Sequence, residues 1–359
     1  MKHLVIDISA HGFGHVAQTS AVLNALDCAA IRLTIRSAAQ EQVLRQRIRH
    51  PFTLIAYQQD AGMLMHDALR VDVAASMRWY ADFHADYARR KAQAARELEQ
   101  LQPDLLFANV PYLSLAAAGE TGVPAVALCS LNWADVFHAY CGDLPGAGRI
   151  REEILDAYAQ AAVFLQPAPS MDMHPALRVR PLAPIAALGR RNPALLRKRA
   201  RQPGHTRFVL MALGGLGMDY PLASWPHLPG VCWIFPDEAL TRQRPDFLPT
   251  SLFGLDYVDL LASCDAIMTK TGYGAQTEAV ANQVPALCIG RPGWPEEPNL
   301  PRWHQQHGEV VFTHWAEVTA GAFGDKIMAL LETSWRKPAV TPNGAAEAAA
   351  VLQRCLQAA

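Results

Sequence analysis

No stretch of the 359-residue sequence approaches the ~20 consecutive apolar residues that a membrane-spanning helix needs. The first apolar run, Leu4-Val5-Ile6, is stopped at once by Asp7 and is far too short for a signal-peptide core, so a cytoplasmic protein is expected. The seven cysteines, at 28, 129, 141, 232, 264, 288 and 355, are scattered and never form a C-x-x-C pair; they read as reduced thiols packed as small apolar groups. Charge of either sign is also scarce. Charged residues make up 18% against 51% hydrophobic, which excludes an extensively disordered or fibrous chain. A net charge of -1 gives no general pull toward nucleic acid, so no nucleic-acid partner is expected. There is no Asp-x-Asp pair beside a matching histidine cluster, and thirteen scattered histidines do not make a metal site without spacing. The expectation is therefore no metal and no resident cofactor.

What is present is an alternation. The chain exceeds the size at which one hydrophobic core stops growing, so two domains of roughly 150 to 190 residues are expected. Strand-like runs at Lys2–Ile8, Arg32–Arg36, Thr53–Ala56, Leu105–Ala108, Ala125–Leu128 and Val163–Gln166 alternate with helical patterns near Ala17–Leu26, Glu41–Ile48, Val73–Leu101, Leu113–Thr121 and Ile150–Gln160. This is the pattern of a parallel sheet covered on both faces, an α/β fold. The second half repeats it with strands at Phe208–Leu213, Val231–Phe235, Ser251–Gly254, Ala266–Thr269 and Ala286–Ile289. Between the halves, Pro175, Pro181, Pro184, Pro193 and Pro203 break the pattern. The expected division is a first domain over 1–183, a linker over 184–203, a second domain over 204–343 and a final helix over 344–359. From Gly189 to Arg207 the chain carries Arg190, Arg191, Arg197, Lys198, Arg199, Arg201 and Arg207 with no acidic residue. That run reads either as a solvated linker face or as a peripheral contact with anionic lipid or a polyanionic acceptor.

Each half opens in the same way, with an apolar strand, a glycine turn and a helix. The turns are His11-Gly12-Phe13-Gly14-His15 and Gly214-Gly215-Leu216-Gly217. Two Rossmann-like lobes with parallel sheets facing across a cleft are the expected architecture. Glycines at such turns let a ligand approach the backbone and leave the first helical N–H groups free to meet negative charge. The segment from Asp265 to Glu278 carries the most chemistry. A strand ends at Thr269-Lys270, a turn follows at Thr271-Gly272-Tyr273-Gly274, and Glu278 lies within the first two turns of the next helix. A diphosphate would sit on the Gly272–Gly274 amides and the Thr271 hydroxyl, with Glu278 accepting from ribose hydroxyls. After the last expected strand, Glu296 and Glu297 between Pro295 and Pro298 form a rigid polar loop suited to sugar hydroxyls.

These segments, taken in order, resemble the glycosyltransferase-like region at the N-terminus of plant L-arabinokinases. They are more distantly similar to the bacterial N-acetylglucosaminyltransferase that completes lipid II and to plant glycosyltransferases using UDP-sugars. The resemblance covers nearly the whole chain: His11–His15, Asn109-Val-Pro, Ser130-Leu-Asn-Trp-Ala-Asp135, Thr271–Glu278 and Glu296-Glu-Pro298. It implies the GT-B fold, with the donor diphosphate at Gly272–Gly274, its ribose at Glu278, and Gly214–Gly217 closing over it. It puts His15 in the place of the histidine that removes the acceptor proton, with His11 as the rival base. Asn109, Asn132, Trp133 and Asp135 fall on the acceptor side, and Asn109 stands where the plant enzymes have an aspartate orienting that histidine. Lys270 or Arg291, with the positive end of a helix, would meet the departing diphosphate. The arabinokinases' phosphorylating domain has no counterpart here, so kinase activity is not expected.

The expected function is metal-independent transfer of a hexose or N-acetylhexosamine from a nucleoside diphosphate sugar, UDP-linked, to an acceptor. Two alternatives share the fold: a sugar-nucleotide epimerase, for which no convincing acid and base pair is present, and a non-catalytic sugar or nucleotide sensor.

Overall fold

The computed structural model describes residues 1–214 and 220–358. Among them the chain forms two compact units. One comprises residues 1–185 with 293–296 and 342–359, and the other 186–292 with 297–341.

The first unit is built on seven parallel strands: β1 (Lys2–Ile8), β2 (Ile31–Ser37), β3 (Thr53–Ala56), β4 (Leu105–Asn109), β5 (Ala125–Leu128), β6 (Val163–Pro167) and β7 (Val179–Leu182). Their order across the sheet is β3-β2-β1-β4-β5-β6-β7. β1, β4 and β5 are buried on both faces, which is why they read in the sequence as unbroken apolar runs rather than as alternation. The exception inside β1 is Asp7. Its carboxylate takes both Nε and Nη2 of Arg36 on β2, at 2.7 and 2.6 Å, and the pair is almost fully buried. The helical layer packs Tyr80, Tyr112, Phe137 and Tyr158 against the sheet. The final helix, Gly344–Ala358, belongs to this unit and packs on the helix Phe13–Ala25. Glu347 accepts from the Ala183 amide at 2.9 Å, and Gly344 lies so close to the Ala183 carbonyl that a side chain there would collide with it.

The second unit has six parallel strands: β8 (Arg207–Ala212), β9 (Val231–Phe235), β10 (Phe247–Pro249), β11 (Ala266–Lys270), β12 (Ala286–Ile289) and β13 (Val310–Thr313), ordered β10-β9-β8-β11-β12-β13. In both sheets the order reverses once, between β1 and β4 in the first and between β8 and β11 in the second. Open parallel sheets bind ligands beyond the carboxyl ends of the strands at that reversal. The registers Ile8↔Asn109 and Thr269↔Ala212 therefore mark where each site should lie.

Two sequence expectations are corrected. The helix expected over Val73–Leu101 is two helices, Val73–Ala85 and Tyr87–Leu101, broken at Asp86 with φ -127° and ψ 32°. The strand expected over Ser251–Gly254 is instead a 3-10 turn, Thr250–Phe253. It buries Phe253 and ends at Gly254 in the left-handed region, while the strand lies just before it at β10.

Candidate functional site

In the first unit β1 hands over to the helix Phe13–Ala25 through Gly12, whose φ of 152° favours glycine. The helix has no side-chain cap and no acidic residue in its first turn, and a side chain built on Gly12 or Gly14 would meet no atom within 4 Å. One turn in, His15 points down onto the end of β4. Its Nδ1 lies 3.0 Å from Asn109 Oδ1. The Asn109 amide is itself oriented, because its Nδ2 donates to Gln18 Oε1 at 3.2 Å and to the His15 carbonyl at 3.4 Å. Gln18 is held in turn by donating to Ser130 Oγ. Asn109 must therefore present its oxygen to His15, which makes Nδ1 the protonated nitrogen and leaves Nε2 with its lone pair. Nε2 has no hydrogen-bond partner among the described residues. Burial lowers the His15 pKa to about 4, against a smaller raising effect of Asn109. At pH 7 only about one imidazole in a thousand would carry a proton.

His11 is placed differently. Its Nδ1 lies 3.2 Å from the Ala61 carbonyl, its ring meets Trp133 edge-on at 5.0 Å, and it stacks on Trp294 at 6.1 Å and 5°. Both histidines thus border Trp133, which is fully buried and 5.7 Å from the His15 ring.

The residue that fixes Trp133 escaped the sequence reading. Asp60, on the loop after β3, accepts from Trp133 Nε1 at 2.7 Å and from Ser9 Oγ at 2.9 Å, and Ser9 Oγ also receives the His11 amide at 3.3 Å. Two residues on, Gly62 at φ 57° lies against both the His11 ring and Trp133, where a Cβ would fall 2.7 Å from each. Burial raises the Asp60 pKa to about 6, opposed by its two donors. The only local signal was a polar stretch, Gln58-Gln59-Asp60, ending in a glycine at the carboxyl end of a strand. Asp60→Ala would leave a buried indole N–H and a buried hydroxyl unpaired. At about 1–3 kcal/mol for each orphaned group, we expect a loss of about 2–6 kcal/mol, read as a lower urea midpoint with unchanged slope.

Asn132 and Asp135, expected on the acceptor side, are engaged within the protein. Asn132 caps the helix Trp133–Cys141 by accepting from the Asp135 amide at 2.9 Å. Asp135 binds Arg151 at 3.1 Å and the His174 amide at 2.9 Å. They hold the 171–177 loop in place.

In the second unit, β11 ends at Lys270 and the helix Tyr273–Ala281 starts from Gly272. The Thr271 and Gly272 amides of the expected donor turn have partners within the protein. The Gly272 amide donates to Gln276 Oε1 at 2.9 Å, the Thr271 amide to the Ile289 carbonyl at 2.8 Å, and the buried Thr271 hydroxyl faces Cys288 Sγ at 3.8 Å. Gln276 is anchored from behind by donating to Nδ1 of the buried His304 at 3.1 Å. The helix therefore offers an anion the amides of its first turn, Gly274 and Ala275 among them, rather than Gly272. Lys270 reaches the same place: its Nζ and Cε lie 3.8 and 3.5 Å from where side chains on Gly272 and Gly214 would begin. Gly214 has φ 95°; Gly215 and Gly217 lie outside the described residues. Glu278 is buried, at 4% exposure, on the second turn of the helix, next to the largely buried Tyr273 turn.

The Glu296-Glu297 pair is split. Glu297 Oε1 accepts from the Arg291 amide at 3.1 Å, closing its own loop in the second unit. Glu296, in the first unit with residues 293–296, accepts from Trp294 Nε1 at 3.0 Å and is 3% exposed. It supports the tryptophan that stacks on His11. Among the described residues no three His, Cys, Asp or Glu side chains converge as a metal site.

No protein-family model matches the chain. Over 309 residues it is 24% identical to the L-arabinokinase of Arabidopsis thaliana, a stretch covering 83% of this chain and 29% of that protein. The chain thus spans less than a third of the curated relative's length. It is similar in structure to the glycotransferase of kitacinnamycin, with a TM-score of 0.63, 15% identity, and 99% of this chain and 95% of that one covered. It is also similar to Phytolacca americana UGT2 complexed with UDP-2-fluoroglucose and pterostilbene, with a TM-score of 0.56, 13% identity, and 100% and 95% covered. Together with the two parallel sheets, this defines the fold as that of the GT-B glycosyltransferases.

Proposed function

We propose that this protein transfers a sugar, a hexose or N-acetylhexosamine, from a nucleoside diphosphate sugar to an acceptor hydroxyl, without a metal ion. The observation that carries this reading is the oriented Asn109, which leaves His15 neutral with a bare Nε2 at the carboxyl edge of the first sheet's reversal. Nε2 takes the proton of the acceptor hydroxyl; the hydroxyl oxygen bonds to the anomeric carbon as the bond from that carbon to the diphosphate breaks, and the electron pair leaves with the diphosphate. In the second unit, the open end of the Tyr273–Ala281 helix and Lys270 receive that negative charge. Glu278 binds the ribose hydroxyls, and UDP is the favoured nucleotide, in line with the ligand named for UGT2.

The reading is tested by titrating UDP, TDP, GDP and ADP into the protein calorimetrically and following consumption of the matching sugar conjugates. At least one should bind saturably and its conjugate should turn over; failure of all four to bind overturns the donor site. A second reading, binding without transfer, draws on Asn109, which supplies no charge to stabilise an imidazolium. Binding without any donor consumption would favour it. The two part on Asn109→Asp. A carboxylate 3 Å from Nδ1 raises the His15 pKa by about 1–3 units, so the acid limb of the rate profile should move up in pH from its wild-type position near 4.

A further inference from the structure

Six cations fall within the twelve residues 190–201 of a chain whose net charge is -1: Arg190, Arg191, Arg197, Lys198, Arg199 and Arg201. Five of them are exposed, Arg197 being half-buried. None forms an ion pair among the described residues, whereas Arg207, at the end of the same run, pairs with Asp265. The backbone holds this segment on one rim of the second unit. Gly189 is pressed against the Val258 carbonyl and Ala262, the Arg190 amide donates to Asp259 Oδ1 at 2.7 Å, and the Asn192 amide donates to Ser263 Oγ at 2.9 Å. The helix Pro193–Ala200 packs on the 3-10 turn Thr250–Phe253, with the Arg199 guanidinium against Gly254. Two leucines stand out from the same rim: Leu188, just before the basic run, is 64% exposed, and Leu252, on the 3-10 turn, is 40% exposed. The acids nearby are Asp256, exposed, Asp259, which already binds the Arg190 amide, and Glu238, exposed, which accepts from Ser251 Oγ on the 3-10 turn. The cations outnumber them.

We propose that this rim is a docking surface for an anionic lipid bilayer. The cations pair with headgroup phosphates while Leu188 and Leu252 enter the interface, a combination that suits a membrane surface better than a soluble polyanion, which has no apolar phase to receive a leucine. Among the described residues no helix is long and apolar enough to cross a membrane, so the contact is peripheral. The proposal does not depend on the activity proposed above.

The test is cosedimentation of the whole protein with phosphatidylcholine vesicles, with and without phosphatidylglycerol as about a third of the lipid. Binding should need the anionic lipid and fall at high salt. Each basic residue near an anionic surface strengthens partitioning about fivefold, so the triple variant Arg190→Gln, Arg191→Gln, Lys198→Gln should lose roughly a hundredfold. Leu188→Ser, which leaves the charge unchanged, should also weaken vesicle binding while leaving retention on heparin unchanged or nearly so. Thermal unfolding of each variant checks that it is folded. Equal partition onto neutral and anionic vesicles, or no partition at all, overturns the proposal. So does retention on heparin with vesicle binding indifferent to Leu188→Ser, which would assign the rim to a soluble polyanion.

Discussion

His15→Ala should lower kcat for donor consumption by about a hundredfold to ten-thousandfold, the range of a positioned general base, while leaving nucleoside diphosphate affinity unchanged. The variant keeps the Gly12–Gly14 turn and removes only the group whose Nε2 is bare. His11→Ala is the control that separates the two histidines. The His11 ring is held by Ala61, Trp133 and Trp294, so its loss should act through packing, at about 0.5–1.5 kcal/mol for each aromatic contact, and lower stability more than kcat. The pH behaviour follows from the same burial. With the folded pKa of His15 near 4, kcat/KM should stay flat as pH falls through the ordinary histidine value of 6.5 and decline only near 4. The sign for stability is the same. A depressed folded pKa contributes stability that is present above 6.5 and is lost as pH falls through about 4.

Glu278→Ala should weaken nucleoside diphosphate binding by about tenfold to a hundredfold, the weight of a hydrogen-bonded charged group at roughly 1.5–3 kcal/mol. Binding of inorganic pyrophosphate should be unaffected, because the proposed pyrophosphate contacts are the helix amides and Lys270. Lys270→Ala should do the reverse, weakening pyrophosphate and nucleotide alike. Titration of both ligands against both variants separates the ribose contact from the phosphate contact, and equal losses in all four titrations would contradict the assignment.

The parts of this molecule that were legible in the sequence are those fixed by local pattern. Strands such as Lys2–Ile8 and Val231–Phe235, buried on both faces, leave apolar runs of the right length, and the turns at Gly12 and Gly272 announce themselves by strand, glycine and helix in succession. Where periodicity continued without a breaker, the reading failed: nothing in Ala85-Asp86-Tyr87 signals the helix break, which accompanies the inward turn of His84 onto Glu153 and Tyr112. Asp60 was invisible for a different reason. Its role exists only because the fold brings together residues 51 and 73 positions away, and no local pattern records such a meeting. Asn132 and Asp135 carry structural work that no local pattern announces. The resemblance puts them on the acceptor side, and in the folded chain they also cap a helix and anchor a loop. At Thr271 and Gly272 the glycine turn is legible, while the engagement of their amides by Ile289 and Gln276 shows only in the folded chain.

The central claim is that Asn109 holds His15 as a neutral base with its proton on Nδ1. The most direct measurement is the nitrogen-15 NMR spectrum of the His15 ring across pH, assigned by its loss in His15→Ala. The account predicts a protonated Nδ1 and a bare Nε2 at pH 7, with no titration until the pH approaches 4. A proton on Nε2 at neutral pH, or an imidazolium forming near 6.5, would contradict it.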